Sequence, residues 1–471
     1  MKPFDLVVRG GTVVGPEGRR RADVGIIGGK IAAVVEVGSV GPDGLGERDG
    51  LGAREVVDAG GRLVFPGAID AHVHFGLGSG DAATADDFES GSISAACGGV
   101  TTFIDFATPE PGQSAGAALS ARMAQAAGRA AIDYGLHGVI VQPGHVDEAG
   151  ELAVRGVSSF KLYLTYRTRG LMASDETLSR LLSETTRIGG LGGVHAEDNE
   201  TIEATQAKFQ RGARTTMADF AASRPVRAES EAIARACRLA DAASAPLYVF
   251  HLSTAAGLAE IKRARAAGGT VFAETCPHYL LLTDEGYNRP DGYRFLMNPP
   301  LRGEADRAAL WAALADGSVQ VVSSDHCPFN EGQKAAAARS FVGAPAGIGG
   351  TELILATLLT GAAQGRLSLE RVVELTAANP ARLFGLWPRK GRVAPGSDAD
   401  LAIVDPDGEW TVARGELHSR CDHTVFEGLK ARGRVTMTIA RGRLIYRDGQ
   451  FLGRPGAGRF LERRGPLCTS I

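Results

Sequence analysis

The sequence predicts an α/β fold in which a TIM-like (β/α)8 barrel carries a small β-sandwich domain built from both chain termini. Two observations favour it: apolar strands alternate with helical patterns through the middle of the chain, and both ends carry strand patterns only. The 471 residues also exceed the roughly 250 residues of a typical barrel, which leaves room for a second domain. We therefore expect the barrel at residues 65–388 and the β domain at residues 1–64 and 389–471.

The two ends of the chain share a pattern of strand, Arg-Gly and strand, in "LVVRGGTVV" and "MTIARGRLIY". We expect strands at residues 4–8, 12–14, 24–27 and 401–404, and a hairpin at 435–446. The pairs Gly10-Gly11 and Arg441-Gly442 predict the turns. Residues 38–52 are polar and rich in glycine, which predicts an exposed loop.

Eight apolar segments in the middle of the chain predict the barrel strands. They end at His74, Asp105, Ile140, Lys161-Leu162, His195, His251, Glu274 and Asp325. Between them, Ser174 predicts the start of a helix whose apolar face carries Leu178 and Leu181, and a second apolar helix face lies at residues 233–240. An open doubly wound sheet is the alternative, but no Gly-x-Gly-x-x-Gly fingerprint follows the first strand.

Composition excludes several classes of partner. The formal net charge of -3 argues against nucleic-acid binding, and no apolar run reaches the ~18 residues that a membrane span needs. The N-terminal segment has no signal-peptide layout, and the six cysteines form no Cys-x-x-Cys pair. We therefore expect a cytoplasmic protein with reduced thiols that acts on a small molecule.

Five candidate metal ligands follow apolar strands. His72 and His74 are two residues apart, which places both side chains on one face of a strand, and His195, His251 and Asp325 each end another strand. A single His-x-His pair also occurs by chance on exposed strands. In a barrel, however, the carboxyl ends of all strands meet at the catalytic face, so five such residues at four strand ends indicate a metal site.

Lys161 is the unusual member of this set, because an ammonium is costly to bury beside metal cations. It is either a surface lysine that extends into solvent or a carbamate formed with carbon dioxide, whose two oxygens can bridge two metals. Composition does not distinguish these two readings.

Longer motifs resemble one family. They are "ADDFESGSISAACGGVTTFIDF" (85–106), "SFKLYLTY" (159–166), "HAEDN" (195–199), "ETCPHYLLLT" (274–283), "MNPPLR" (297–302), "SDHCPFN" (324–330) and "ANPARLFGL" (378–386). Together with the order of the candidate ligands, these motifs resemble the D-hydantoinase and dihydropyrimidinase group of the amidohydrolase superfamily. The resemblance spans nearly the whole chain.

The resemblance implies a hydrolase that opens the cyclic amide bond of hydantoins or dihydropyrimidines, with hydroxide held between two divalent metal ions. Zinc is the expected metal, although manganese or cobalt would also suit the ligands. The implied ligands are His72, His74 and Asp325 for the first metal, His195 and His251 for the second, and carboxylated Lys161 as the bridge. Homodimers or homotetramers are typical of the family.

The resemblance also implies roles around the reacting bond. Asp325 would carry the proton, Tyr166 would stabilise the oxyanion, and Asn298 and Ala346 would contact the substrate ring. Two departures concern the substrate: the loop "FGLGSGD" after His74 differs from the usual hydantoinase loop, and Ala346-Gly347 stands where an Asn-Gly pair is common.

Three other functions stay open. A dihydroorotase or allantoinase is favoured by "PAGIGGTELILATLL" (345–359), which resembles the dihydroorotase segment. Against it, Gly76 occupies the position at which dihydroorotases carry an arginine for the substrate carboxylate. A non-catalytic, dihydropyrimidinase-like structural protein is disfavoured, because all six ligand positions are intact. A hydrolase of exocyclic amides or amines is the last alternative.

Overall fold

The computed structural model describes residues 3–37 and 52–465. The loop expected at 38–52 lies outside the described residues, apart from Gly52, and so does Cys468. The N-terminal strands are β1 (Phe4–Gly15), β2 (Gly18–Ile27), β3 (Lys30–Glu36), β4 (Ala53–Asp58) and β5 (Leu63–Pro66). The central strands are β6 (Ala68–Asp70), β7 (Val100–Ala107), β8 (Asp133–Val139), β9 (Ser159–Tyr163), β10 (Leu191–His195), β11 (Leu247–Val249), β12 (Val271–Thr275) and β13 (Val321–Val322). The C-terminal strands are β14 (Leu401–Thr411), β15 (Lys430–Ala440), β16 (Arg443–Arg447) and β17 (Gln450–Phe451).

Helices follow most of the central strands. They are α1 (Phe88–Cys97), α2 (Ala115–Ala126), α3 (Pro143–Asp147), α4 (Ala149–Val154), α5 (Asp175–Ile188), α6 (Asn199–Arg211), α7 (Met217–Ser223), α8 (Val226–Ala242), α9 (Ala255–Ala266), α10 (Pro277–Leu281), α11 (Glu304–Ala315), α12 (Glu331–Lys334), α13 (Ile354–Ala363), α14 (Leu369–Val373) and α15 (Asn379–Leu383). The prediction of α5 is confirmed: Ser174 caps it by accepting a hydrogen bond from Thr177 N, and Leu178 and Leu181 are buried. Within the described residues, no helix is long and apolar enough to cross a bilayer.

Strands β6 to β13 form the predicted barrel. They pair in parallel and in sequence order, and a parallel bridge between Val73 and His326 joins the first strand to the last. Every predicted segment contributes one strand, but three strands end two or more residues earlier than expected: β6 at Asp70, β11 at Val249 and β13 at Val322. His72, His74, His251 and Asp325 therefore lie after the paired residues of these strands.

Both chain ends form one sheet, as predicted. Its order is β17-β16-β15-β14-β5-β1-β2-β3, with β4 paired to β1, so that β5 joins the N-terminal strands to the C-terminal ones. The strands from both ends share one apolar cluster, whose members include Val8, Val24, Leu401 and Ile439. The hairpin of β15 and β16 is confirmed.

The turn predicted at Gly10-Gly11 is wrong. Strand β1 runs through both glycines, and its pairing with β2 shifts register between Val8 and Gly11. Gly10 has φ 71°, and its N–H donates to Asp23 Oδ1 at 2.8 Å. The Gly-Gly pair therefore forms a bulge within one strand instead of connecting two strands. The domain boundaries at residues 64 and 388 stay predictions.

Candidate metal centre

Three of the predicted ligands converge at the carboxyl face of the barrel. His72 and His74 follow β6, and Asp325 follows β13. Strands β6 and β13 are neighbours in the closed barrel. Asp325 Oδ1 lies 3.1 Å from His72 Nε2 and 3.2 Å from His74 Nε2, and the two Nε2 atoms are 3.2 Å apart. Their spacing suits a shared metal ion.

The other three predicted ligands surround His72. Lys161 Nζ lies 2.9 Å from His72 Nε2, and its side chain is buried over the rings of Phe106 and Phe250. The ring centroid of His251 is 5.4 Å from that of His72 and 4.5 Å from that of His195. The structure therefore brings all six side chains into one cluster.

Buried carboxylates orient two of these histidines. Glu274 contacts His72 Nδ1, which leaves Nε2 facing the cluster, and also accepts hydrogen bonds from His251 N at 3.2 Å and Tyr248 OH at 2.9 Å. Glu197 Oε2 lies 2.8 Å from His195 Nε2, which leaves Nδ1 as the ring atom that can bind a metal. Such carboxylate partners fix the ring orientation and raise the basicity of metal-bound histidines.

Glu197 is itself paired with Arg224. Arg224 Nε donates to Glu197 Oε1 at 3.0 Å, and Arg224 Nη2 contacts Oε2. Burial alone would raise the pKa of Glu197, but Arg224 and His195 hold it at about 2. The carboxylate beside His195 is therefore ionised at neutral pH.

Three site residues have left-handed backbone conformations. The φ angles are 69° at Tyr166, 40° at His251 and 49° at Asp325. Such angles are uncommon for residues other than glycine and cost on the order of 1–3 kcal/mol each. Strain of this kind concentrates at functional sites, where surrounding packing stabilises a side-chain direction that regular structure would not give.

The residues present fit a pair of divalent cations. Burial lowers the pKa of His74 to about 3 and also lowers the pKa values of His195 and His251, so these rings are neutral, which is the form that binds metals. His251 Nδ1 is buried and has no hydrogen-bond partner among the described residues. Burial also lowers the pKa of Lys161 to about 8, against the pull of Asp325 and Glu274.

The remaining predicted residues border this cluster. The Tyr166 ring lies 5.1 Å from the His195 ring, and burial raises the pKa of Tyr166 to about 12, so its hydroxyl stays a hydrogen-bond donor. Asn298 adjoins Tyr166, with its Oδ1 buried and unpaired among the described residues. The partly buried Ala346 precedes Gly347, whose N–H donates to Leu296 O at 2.9 Å. The two segments predicted to contact the ring therefore lie side by side.

The family can be assigned from comparison with known proteins. The amidohydrolase family profile matches residues 63–445. The chain belongs to the amidohydrolase family. A D-hydantoinase from Ralstonia pickettii is 38% identical over 466 residues, which cover 98% of this chain and 99% of the relative. A D-phenylhydantoinase from Escherichia coli O1:K1 / APEC is 40% identical over 465 residues, 98% of each chain.

A solved structure supports the same assignment. The crystal structure of dihydropyrimidinase from Brevibacillus agri NCHU1002 matches with a TM-score of 0.92 and 36% identity, over 98% of both chains. The family resemblance and the barrel with its terminal β domain are thereby confirmed.

Sequence reasoning missed the residues that hold the ligands. Glu274 was identified only as a strand end, and Glu197 only as part of a motif. Glu197 carried a usable signal, because it follows His195 by two residues on the same side of an extended segment. Arg224 carried none, because the segment before α8 gives no pattern that would bring it to the site.

Proposed function

We propose that this chain is a metal-dependent cyclic amidohydrolase that opens the ring amide bond of hydantoins or dihydropyrimidines. The observation that supports it most is the convergence of four histidines, a lysine and an aspartate at the carboxyl face of the barrel. Relatives that match over the whole chain carry the names D-hydantoinase and dihydropyrimidinase.

We assign the metals to two adjoining positions. His72, His74 and Asp325 would hold one ion, His195 and His251 the other, and Lys161, carboxylated by carbon dioxide, would bridge them; zinc is the expected metal. The burial of Lys161 supports the bridge, because its lowered pKa leaves a larger fraction of the neutral amine that reacts with carbon dioxide. When bound, the two metals would lower the pKa of water and polarise the ring carbonyl.

The protein's own groups carry the proton and the developing charge. Although burial opposes it, His72 and His74 hold the pKa of Asp325 well below its usual range, so Asp325 is ionised at neutral pH. Its Oδ2 would accept the proton during the reaction. It would return that proton to the leaving ring nitrogen. The Tyr166 hydroxyl would donate to the oxygen that gains charge as the carbonyl is attacked. Asn298 and the backbone at Ala346 would hold the ring.

The substrate should be an uncharged cyclic ureide. Gly76 stands where dihydroorotases carry an arginine. Its φ of 63° would also strain an arginine at that position. Arg167 is paired with Glu200 and Glu203, which occupy its guanidinium. The buried Arg302 donates from Nη1 to Arg224 O at 2.7 Å, and its Nη2 has no partner among the described residues. A buried carboxylate without a cation costs several kcal/mol.

A hydrolysis panel of hydantoins, dihydrouracil, allantoin and dihydroorotate tests this proposal. We expect kcat/KM for dihydrouracil or a hydantoin to exceed that for dihydroorotate by at least ~10²-fold. Arg169, whose guanidinium lies 5.2 Å over the Tyr166 ring, provides the control: dihydroorotate turnover that disappears in Arg169→Met would identify a carboxylate receptor. A preference for dihydroorotate, allantoin or an exocyclic amide would contradict the proposed substrate class. No turnover of any of these compounds would contradict the proposed hydrolase activity.

We also propose a cytoplasmic location and a homodimer or homotetramer. The cytoplasmic location is supported by the state of the cysteines. The five described cysteines are buried and form no disulfide, as is usual in a reducing compartment. Fractionation of native cells and light scattering of the purified protein would test the two statements.

A further inference from the structure

His74 lacks the carboxylate partner that His72 and His195 have, although its backbone N–H donates to His326 O at 2.9 Å. His72 and His195 each have a carboxylate that faces the ring atom opposite the cluster, and the backbone N–H of His251 is held by Glu274. In the described part of the chain, the polar contacts of the His74 ring are with His72 and Asp325, both of which belong to the cluster. A metal-binding histidine is usually oriented by a second partner, so another element must position His74.

An ion pair holds the backbone directly after His74. Asp105, at the end of β7, is fully buried, and its Oδ2 accepts a hydrogen bond from Phe75 N at 2.8 Å. Arg122, on α2, donates from Nη2 to Phe75 O at 2.5 Å and from Nε to Asp105 Oδ1 at 2.8 Å. Both polar backbone groups of Phe75 are therefore bound by one carboxylate–guanidinium pair.

The same pair also supports the ring of His74. Asp105 Oδ1 accepts a hydrogen bond from Phe106 N at 2.6 Å, which fixes the start of the segment after it. The Phe106 ring stacks on the His74 ring with centroids 4.8 Å apart and planes 22° from parallel. His74 is thus held along its chain and across its ring by groups that meet at Asp105.

We propose that Asp105 and Arg122 are a positioning pair for His74. The inference rests on the proposed function, in which His74 binds one of the two metals. Neither residue reaches the reacting atoms. Their effect passes through Phe75 and Phe106 to the direction of the His74 ring, and so to how tightly the first metal is held.

The pair is tested by metal release from the holoenzyme to a chelator, with melting temperature, KM and kcat measured on the same samples. Arg122→Met removes the hydrogen bonds to Asp105 and Phe75 O. Arg122→Lys keeps the charge beside Asp105 but cannot bind Asp105 and Phe75 O together. Arg265→Met is the matched control. Arg265 also braces backbone, donating to Val271 O at 2.6 Å and Ser318 O at 2.8 Å, but at the amino end of β12.

We expect one of the two metals to leave roughly 10- to 100-fold faster in Arg122→Met, and by a smaller factor in Arg122→Lys. kcat should fall with metal occupancy and recover in excess metal. Arg265→Met should lower the melting temperature without changing metal release. Wild-type release rates in both Arg122 variants, or equal acceleration in Arg265→Met, would overturn the positioning role alone. A wild-type protein without divalent metal would overturn the proposed function as well.

Discussion

Replacing Arg224 by methionine should destabilise the protein strongly, because it leaves a carboxylate buried without its cation. The side chains of Arg224 and Glu197 are 5% and 0% exposed, and Glu197 also contacts His195. Removing one partner of a buried ion pair costs about 3–5 kcal/mol of stability, whereas breaking a pair on the surface costs about 1 kcal/mol or less. Arg224 is also the strongest influence holding the pKa of Glu197 down against burial. We therefore expect the free energy of unfolding to fall by about 3–5 kcal/mol.

Urea unfolding of the metal-free protein measures this change without interference from metal affinity. The control is the double variant Arg224→Met/Glu197→Gln, which removes both charges. It should lose less stability than Arg224→Met alone, since no unpaired charge remains buried. A loss below ~1 kcal/mol in the single variant, or an equal loss in both variants, would refute the idea that a buried charge pair holds this side of the site.

Three further predictions concern the proton carrier, the terminal sheet and acid stability. Asp325→Asn keeps the shape but cannot accept a proton, so steady-state turnover should fall at least ~10²-fold; near-normal turnover would assign the proton to another group. Deleting the residues after Gly391 removes strands β14 to β17 and exposes the apolar face of the N-terminal strands, so light scattering should show aggregation, and a soluble, active truncation would contradict the shared sheet. Burial alone would raise the pKa of Asp86, but hydrogen bonds from His326, Arg420 N and Ser419 hold it at about 2. Because this pKa is depressed, ionised Asp86 stabilises the folded protein by about 2 kcal/mol above pH ~4, and this contribution is lost as the pH falls through about 2. The free energy of unfolding of Asp86→Asn should therefore fall less steeply with pH over that range. A pH dependence equal to that of the wild-type protein would contradict the assignment.

The order of the barrel strands could be predicted from sequence, whereas the ends of several strands could not. Apolar runs and their alternation with helices are local patterns, and they located all eight strands. The positions of His251 and Asp325 depend instead on left-handed backbone conformations, which only the surrounding packing stabilises. A pattern of residue types cannot reveal that the ladder stops two or three residues early.

The cluster of predicted ligands is more readily found than the residues that orient it. In a barrel, metal-binding side chains lie at or near the carboxyl ends of the strands, so His72 and Asp325 carry a signal in their own position. Glu274, Arg224 and Arg122 act through contacts with residues distant in sequence, and nothing in their neighbours predicts those contacts. The bulge at Gly10-Gly11 has a related cause, because a Gly-Gly pair permits a turn or a bulge and only pairing with β2 decides between them.

Metal content per chain, measured for the wild-type protein and for Lys161→Ala, tests the central claim most directly. The claim is that Lys161 bridges two ions bound by His72, His74, His195, His251 and Asp325. We predict that the wild-type protein approaches two divalent ions per chain and that Lys161→Ala loses most of them, with short carboxylic acids partly restoring its activity. Lys161 is buried within 2.9 Å of His72 Nε2, so its removal should change metal content even if the fold is intact. A Lys161→Ala variant that keeps two ions per chain would contradict the account.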